Sequence, residues 1–487
     1  MRLSQLFLGL SLVATACRGG GDDTGDDTPD PDGPPVAGEV TIQEVQSDTM
    51  ASGTVIELKG VVVTAIDALG GGSGGFWVSE PEGGAFSGVK VFGASLDQVA
   101  LLAPGDLVNI TGAIKHEACN EAAPCGTIVF DDGASITEVI GETQGSLVVT
   151  KVGTGTVPTP TVVDAKAIAA MPDKASRDAE WEKYEGVLVK VTNARQLSPV
   201  VPFGSMPDPD DTEFRLTSFA RVQSALFQLP DQLAVGTCYE SITGITDFFF
   251  NYIVAPRSEA DLVDGGTGCN PLAESINAVQ TATTIPELAI LTDVFVTGVG
   301  FDNKRIFWVA SSLTAAPNEA VAVFLGSSQT VVPAGVAVGK KVTVIGAVDE
   351  FNDDANGDAL TEIVTPTVTV DAAAAGTVVP AARTAAQLMD PTTGKTFESV
   401  AVVLTNVNLT ALGDATTGFI GTATQGATTF KFSTEVLRPV AGDLGCYATI
   451  TGFWTQLQAG APGATTKPNA MGFVPAVLGT KTGATCP

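Results

Sequence analysis

The chain runs to 487 residues, 44% of them hydrophobic, with 54 acidic side chains against 25 basic ones and a formal net charge of −29. Such length and apolar content are enough for several buried cores, whereas the acidic excess works against any role that neutralises a polyphosphate backbone. A solitary histidine excludes a multi-histidine metal centre.

Met1-Arg2 and the apolar run LSQLFLGLSLVATA that follows form the pattern of a secretory signal. The run is shorter than the roughly 20 residues needed to cross a bilayer. Val13-Ala14-Thr15-Ala16-Cys17 resembles a bacterial lipobox, although Ala14 stands where that family usually has leucine. The resemblance implies removal of residues 1–16, lipidation of Cys17 and export to the cell envelope as a lipoprotein. Arg18 stands where inner-membrane retention in enteric lipoproteins uses aspartate, so the expected destination is the outer membrane. Residues 17–38 are mostly Gly, Asp, Thr and Pro, have nothing to bury and read as a solvated tether.

Beyond the tether, short runs rich in β-branched residues alternate with Gly and Pro, the composition of all-β domains. VIELKGVVVTAI, 55–66, is the first strand expected, followed by Phe76-Trp77-Val78 and then PGDLVNITG, 104–112. The segment 162–184 is the one stretch with helical character, and Pro172 is expected to interrupt it. EGVLVKVTN (185–193), TEFRLTS (212–218) and CYESITG (238–244) come next, after which Phe307-Trp308-Val309 and KVTVIGAV (341–348) repeat the earlier pattern. ESVAVVLTN (398–406), TTFKFST (428–434) and CYATITG (446–452) then repeat the middle set. The repeats give an X-Y-X-Y order, with modules expected at 39–150, 151–270, 271–372 and 373–487.

In each module a long strand, a hairpin, a variable middle, a Gly-x-x-Val-x-x-x-Gly-type strand and a final strand suit a five-stranded, partly open barrel, the OB-fold. Those strands and FFNYIVAPRSEADLV, 249–263, resemble the OB-like modules that accompany secreted bacterial endonucleases and exonucleases. The resemblance implies four tandem OB-like barrels without the nuclease domain.

Seven cysteines leave six once Cys17 is assigned to lipid. Cys238 and Cys446 occupy matching positions, and each is followed by a cysteine past its module's last strand, which predicts Cys238–Cys269 and Cys446–Cys486 disulfides. Cys119 and Cys125 are expected to close the loop 115–126 between the fourth and fifth strands of the first module. The matching loop of the third module, 349–362, is rich in oxygen ligands. Asp354-x-Asn356-x-Asp358 mimics the start of a calcium loop, with Asp353 and Glu362 nearby, but Ala359 stands where the turn glycine belongs. The loop therefore reads either as a Ca²⁺ site or as a solvated hairpin tip.

Phe249, Tyr252 and Trp454 lie in aromatic rows of the Y modules and offer surfaces for stacking a sugar or a partner's apolar face. Strand alternation places every second member of such a row in the core instead. Trp77 and Trp308, at one register, are expected in the core. No His-Glu-x-x-His metal-protease motif is present in the sequence. The expected role is a non-catalytic, lipid-anchored envelope protein that binds a glycan or protein partner through OB-like loop faces. Its rival is an accessory subunit of a secreted hydrolase such as a nuclease. Direct nucleic-acid binding is disfavoured by the charge.

Overall fold

A computed structural model describes residues 36–67, 75–118, 136–143, 145–202, 212–248, 251–300, 305–326, 332–351, 359–413, 420–433, 436–437, 439–458 and 469–486. Four sheets follow one another along the chain, each built on five strands. In the first module these are β1 (Val55–Ile66), β2 (Phe76–Ser79), β3 (Gly88–Val91), β4 (Asp106–Ala118) and β5 (Ile136–Gly141). The second has β6 (Leu188–Arg195), β7 (Thr212–Arg215), β8 (Arg221–Gln223), β9 (Cys238–Phe248) and β10 (Tyr252–Ala255). The third has β11 (Leu288–Val299), β12 (Ile306–Ala310), β13 (Ala320–Phe324), β14 (Lys340–Phe351) and β15 (Leu360–Ala375). The fourth has β16 (Ala401–Ala411), β17 (Gly421–Gln425), β18 (Thr428–Phe432), β19 (Gly445–Gln458) and β20 (Asn469–Leu478).

Strand order within each module is second-third-fifth-fourth-first, with the third and fifth parallel, and in three modules the first also pairs with the second to close a barrel. This is the OB-like, all-β arrangement expected from the repeats. In the second module β6 pairs with β9, but between β6 and β7 the described residues show one bridge pair, Gln196–Leu216. That barrel is the open one.

A closed barrel needs a first strand that serves two neighbours, and each first strand bends to do so. The bend falls at Gly60, Asn193, Asp293 and Asn406, all with positive φ and all skipped in the pairing to the fourth strand. Such bulges turn a strand, and Gly, Asn and Asp tolerate the left-handed conformation best. Ahead of each barrel lies a short parallel strand and a one-turn helix: Ile42–Val45, Ala165–Ala169, Ile276–Gln280 and Ala385–Met389. Thr41, Asp164, Ser275 and Thr384 cap them by accepting backbone N–H bonds. Pro172 does interrupt the helical stretch, which resumes as α1 (Lys174–Glu182).

Phe76-Trp77-Val78 and Phe307-Trp308-Val309 are second strands, and alternation splits the tripeptide between two interiors. Phe76 and Val78 fill the first barrel's core and Phe307 and Val309 the third's. The tryptophans point the other way, into seams between modules. Trp77 packs with Leu188, Ile245 and Ile253 of the second module, and Trp308 with Phe453 and Val474 of the fourth. They are buried as expected, yet they lie between barrels rather than inside one. Leu197, Leu288, Ala347 and Val364 form a smaller apolar seam between the second and third modules. Glu287 reinforces it, accepting from Thr217 Oγ1 at 2.6 Å and pairing with Lys166 Nζ at 2.7 Å.

Both disulfides read from the repeats are present. Cys238–Cys269 and Cys446–Cys486 span 31 and 40 residues, each tying the start of a fourth strand to its module's end. They point to an oxidising compartment. No helix among the described residues is long and apolar enough to cross a membrane.

Candidate ligand groove beside the open barrel

Of the ligand-facing aromatics expected, Trp454 is fully buried in the fourth barrel's core, so it presents no ligand face. Its neighbour Phe453 is buried as well, because the opposite face of β19 is covered by the third module. The period-2 expectation assumed solvent on one side of this strand. Phe249 lies outside the described residues, as do Cys17, Cys119, Cys125, Asp353, Asp354, Asn356 and Asp358. Glu362, the remaining member of the calcium set, is 5% exposed in the ladder of β15, opposite Asp349.

Tyr252 is 7% exposed, and its hydroxyl donates to Glu182. Trp181 stacks beside it at 6.4 Å and Phe248 meets it edge-on at 5.1 Å. Burial, then the nearby Glu182 carboxylate, pushes the Tyr252 phenol well above its ordinary value. At the edge of this cluster opens a cavity of about 630 Å³, within the range of small-ligand sites.

Helix α1 builds one wall. Asp173 caps it by accepting from Ser176 N at 2.8 Å, and that bond holds the Asp173 carboxyl below its usual range. From there Lys174, Arg177, Asp178 and Trp181 fall at i, i+3, i+4 and i+7, one face of the helix, and all four line the cavity. The β7–β8 hairpin supplies Arg215 and Arg221, register partners at its mouth. Thr365 of the third module completes the edge, with its Oγ1 buried and unpartnered.

Four cationic side chains therefore line the cavity against one carboxylate, Asp178, in a chain whose net charge is −29. Lys174 Nζ lies 3.0 Å from Asp178, Arg221 Nη1 3.1 Å from Glu213, and Arg177 Nη1 donates to the Met171 carbonyl at 3.0 Å. Ser218 is 8% exposed, lines the cavity, and its Oγ has no hydrogen-bond partner. It also borders a second cavity of about 310 Å³ that includes Lys166 and Asn193.

Phe219, at the hairpin tip, is 43% exposed and has φ 61°. A left-handed conformation costs an ordinary residue about 1–2 kcal/mol. Every module has a left-handed residue two positions before its third strand: Phe86, Phe219, Asn318 and Gly426. Asn and Gly in the third and fourth modules suit that conformation. Phenylalanine does not, yet both the first and second modules carry it there, and of the two Phe219 is the one that lines the cavity. This groove was not found from sequence, because its residues come from 168–181, 215–221, 251–252 and 365. The one local signal was Thr217-Ser218-Phe219-Ala220, a turn without the Gly or Asn its geometry favours.

No protein-family model matches the chain, and no curated protein does. Among solved structures it is similar to the crystal structure of the tetrameric p202 HIN2, at 10% identity and a TM-score of 0.21, over 38% of this chain and 93% of that one. At that score the likeness carries no argument, and the fold rests on the strand pairing itself.

Proposed function

We propose that this chain is a non-catalytic binding protein of the cell envelope, anchored by lipid at Cys17, that recognises a glycan through the groove of its second module. The observation that carries this reading is a concave, cationic and aromatic-rimmed cavity on an otherwise acidic molecule. OB-like barrels are binding scaffolds whose loops and second and third strands hold ligands, and β7 and β8 are the second and third strands here.

The full-length protein on a glycan array is expected to give hits that Arg177→Glu abolishes. An array without hits, together with a hydrolase that co-purifies in stable stoichiometry, would overturn the reading in favour of an accessory subunit. The anchor has its own test. Cys17→Ser is expected to move the protein from the membrane fraction to the soluble fraction and to end incorporation of labelled fatty acid; unchanged membrane association rules out lipid as the tether.

A further inference from the structure

Three features of the groove bear on what it holds. Its four cations are confined to one cavity of about 630 Å³ instead of running as a track. An exposed aromatic, Phe219, stands at its rim, in a left-handed conformation that the first module also gives to phenylalanine, Phe86, and the third and fourth give to Asn and Gly. A buried hydroxyl, Ser218 Oγ, lines it with no hydrogen-bond partner among the described residues.

We propose that the groove binds an acidic sugar unit, a uronate within a polysaccharide; this rests on the glycan-binding reading above and specifies its ligand. The apolar C–H face of a pyranose packs against Phe219. Its carboxylate is taken by the guanidinium groups of the groove, whose planar fork matches a carboxylate. Ser218 Oγ supplies a hydrogen bond to a ring hydroxyl, which needs both a donor and an acceptor and which a hydroxyl provides.

A nucleic acid fits less well. Its affinity grows with the number of phosphates neutralised along the strand, and a net charge of −29 repels whatever extends beyond the cavity. A short acidic unit in a long, otherwise spaced polymer meets the cations without that penalty. The same electrostatics predict that binding weakens as salt is raised.

The test is titration calorimetry of the full chain with a galactose tetrasaccharide carrying one galacturonate unit, the all-galactose tetrasaccharide and an octathymidylate. The uronate is expected to bind at least about tenfold more tightly than either comparison, a difference of about 1.4 kcal/mol. Arg177→Glu and Phe219→Gly are each expected to weaken it by about the same factor or more. Phe219→Gly keeps the control honest, because glycine suits the turn and the variant is expected to melt no lower than the wild type.

Equal binding of the neutral sugar, tighter binding of the octathymidylate, full affinity in Phe219→Gly, or no heat with the uronate each overturns the proposal. Glycan-array hits confined to neutral sugars overturn it while leaving the glycan-binding reading standing. An empty array together with a co-purifying hydrolase removes both.

Discussion

Trp308→Ala is expected to destabilise the chain by about 3–5 kcal/mol, the usual cost of deleting a large buried aromatic, and to separate the unfolding of the third and fourth modules. Trp308 is fully buried and stacks on Phe453 with ring centroids 4.5 Å apart and planes 4° from parallel. The two rings come from different barrels, so their contact belongs to the seam and not to either core. Around them Ala322, Leu360, Ala401 and Val474 are buried in the same cluster. Gly298 shows how closely the seam is fitted: a Cβ there would lie 2.2 Å from the Phe453 ring.

Urea unfolding followed by circular dichroism, with calorimetry alongside, reads both effects. A loss below about 1 kcal/mol with unchanged cooperativity would show that the seam is incidental. In a double-mutant cycle with Phe453→Ala, the stacked pair is expected to couple by about 0.5–1.5 kcal/mol beyond its area. Trp77 supplies a comparison, because its seam neighbours Leu188 and Ile245 are aliphatic. Trp77→Ala should show the packing loss without an aromatic coupling.

How far the sequence reading reaches depends on whether a feature is local and repeated. The barrels, the X-Y-X-Y order and two disulfides follow from paired segments such as CYESITG and CYATITG, in which each copy checks the other. Register was legible for the same reason, and Phe76-Trp77-Val78 sits on a second strand as the repeats imply. Destination was not. A strand's alternation tells which residues share a face, but not whether that face meets solvent or another barrel. Trp77, Trp308 and Phe453 all turned on that difference. The groove was still less accessible, since α1, the β7–β8 turn and β15 meet only after the second and third modules have packed. Phe219 stands out only once its positive φ is seen.

The two X-Y seams also differ in charge, and the difference predicts opposite responses to pH. Glu185 and Glu398 occupy the same repeat position, and both are about 1% exposed. Glu398 Oε1 accepts from Thr361 N at 3.0 Å and Oε2 from Lys395 Nζ at 2.7 Å. Glu185 Oε1 likewise accepts from Thr137 N at 2.7 Å, but its Oε2 has no partner. Three residues earlier, where the fourth module has Lys395, the second has Glu182. Burial raises the Glu185 carboxyl well above its ordinary value and the Glu182 carboxylate adds to it; burial also raises Glu398, against the pull of Lys395.

For a group whose folded pKa is raised, the folded state keeps a proton that the unfolded chain releases near pH 4.3. Its stabilising contribution is complete below that value and is lost as pH rises through the folded pKa. Lys395→Ala should therefore lose only its bond to the Ala359 carbonyl at pH 4 and cost about 1–3 kcal/mol more at pH 8, where it leaves a buried carboxylate without its half-exposed cation. Glu185→Gln should do the reverse, leaving the acid limit unaltered and raising stability at pH 8, because it removes an ionisation that the seam does not accommodate. Urea unfolding of both variants between pH 4 and pH 8 is the measurement. If Lys395→Ala loses as much stability at pH 4 as at pH 8, the lysine acts through packing and the electrostatic account of the seam fails.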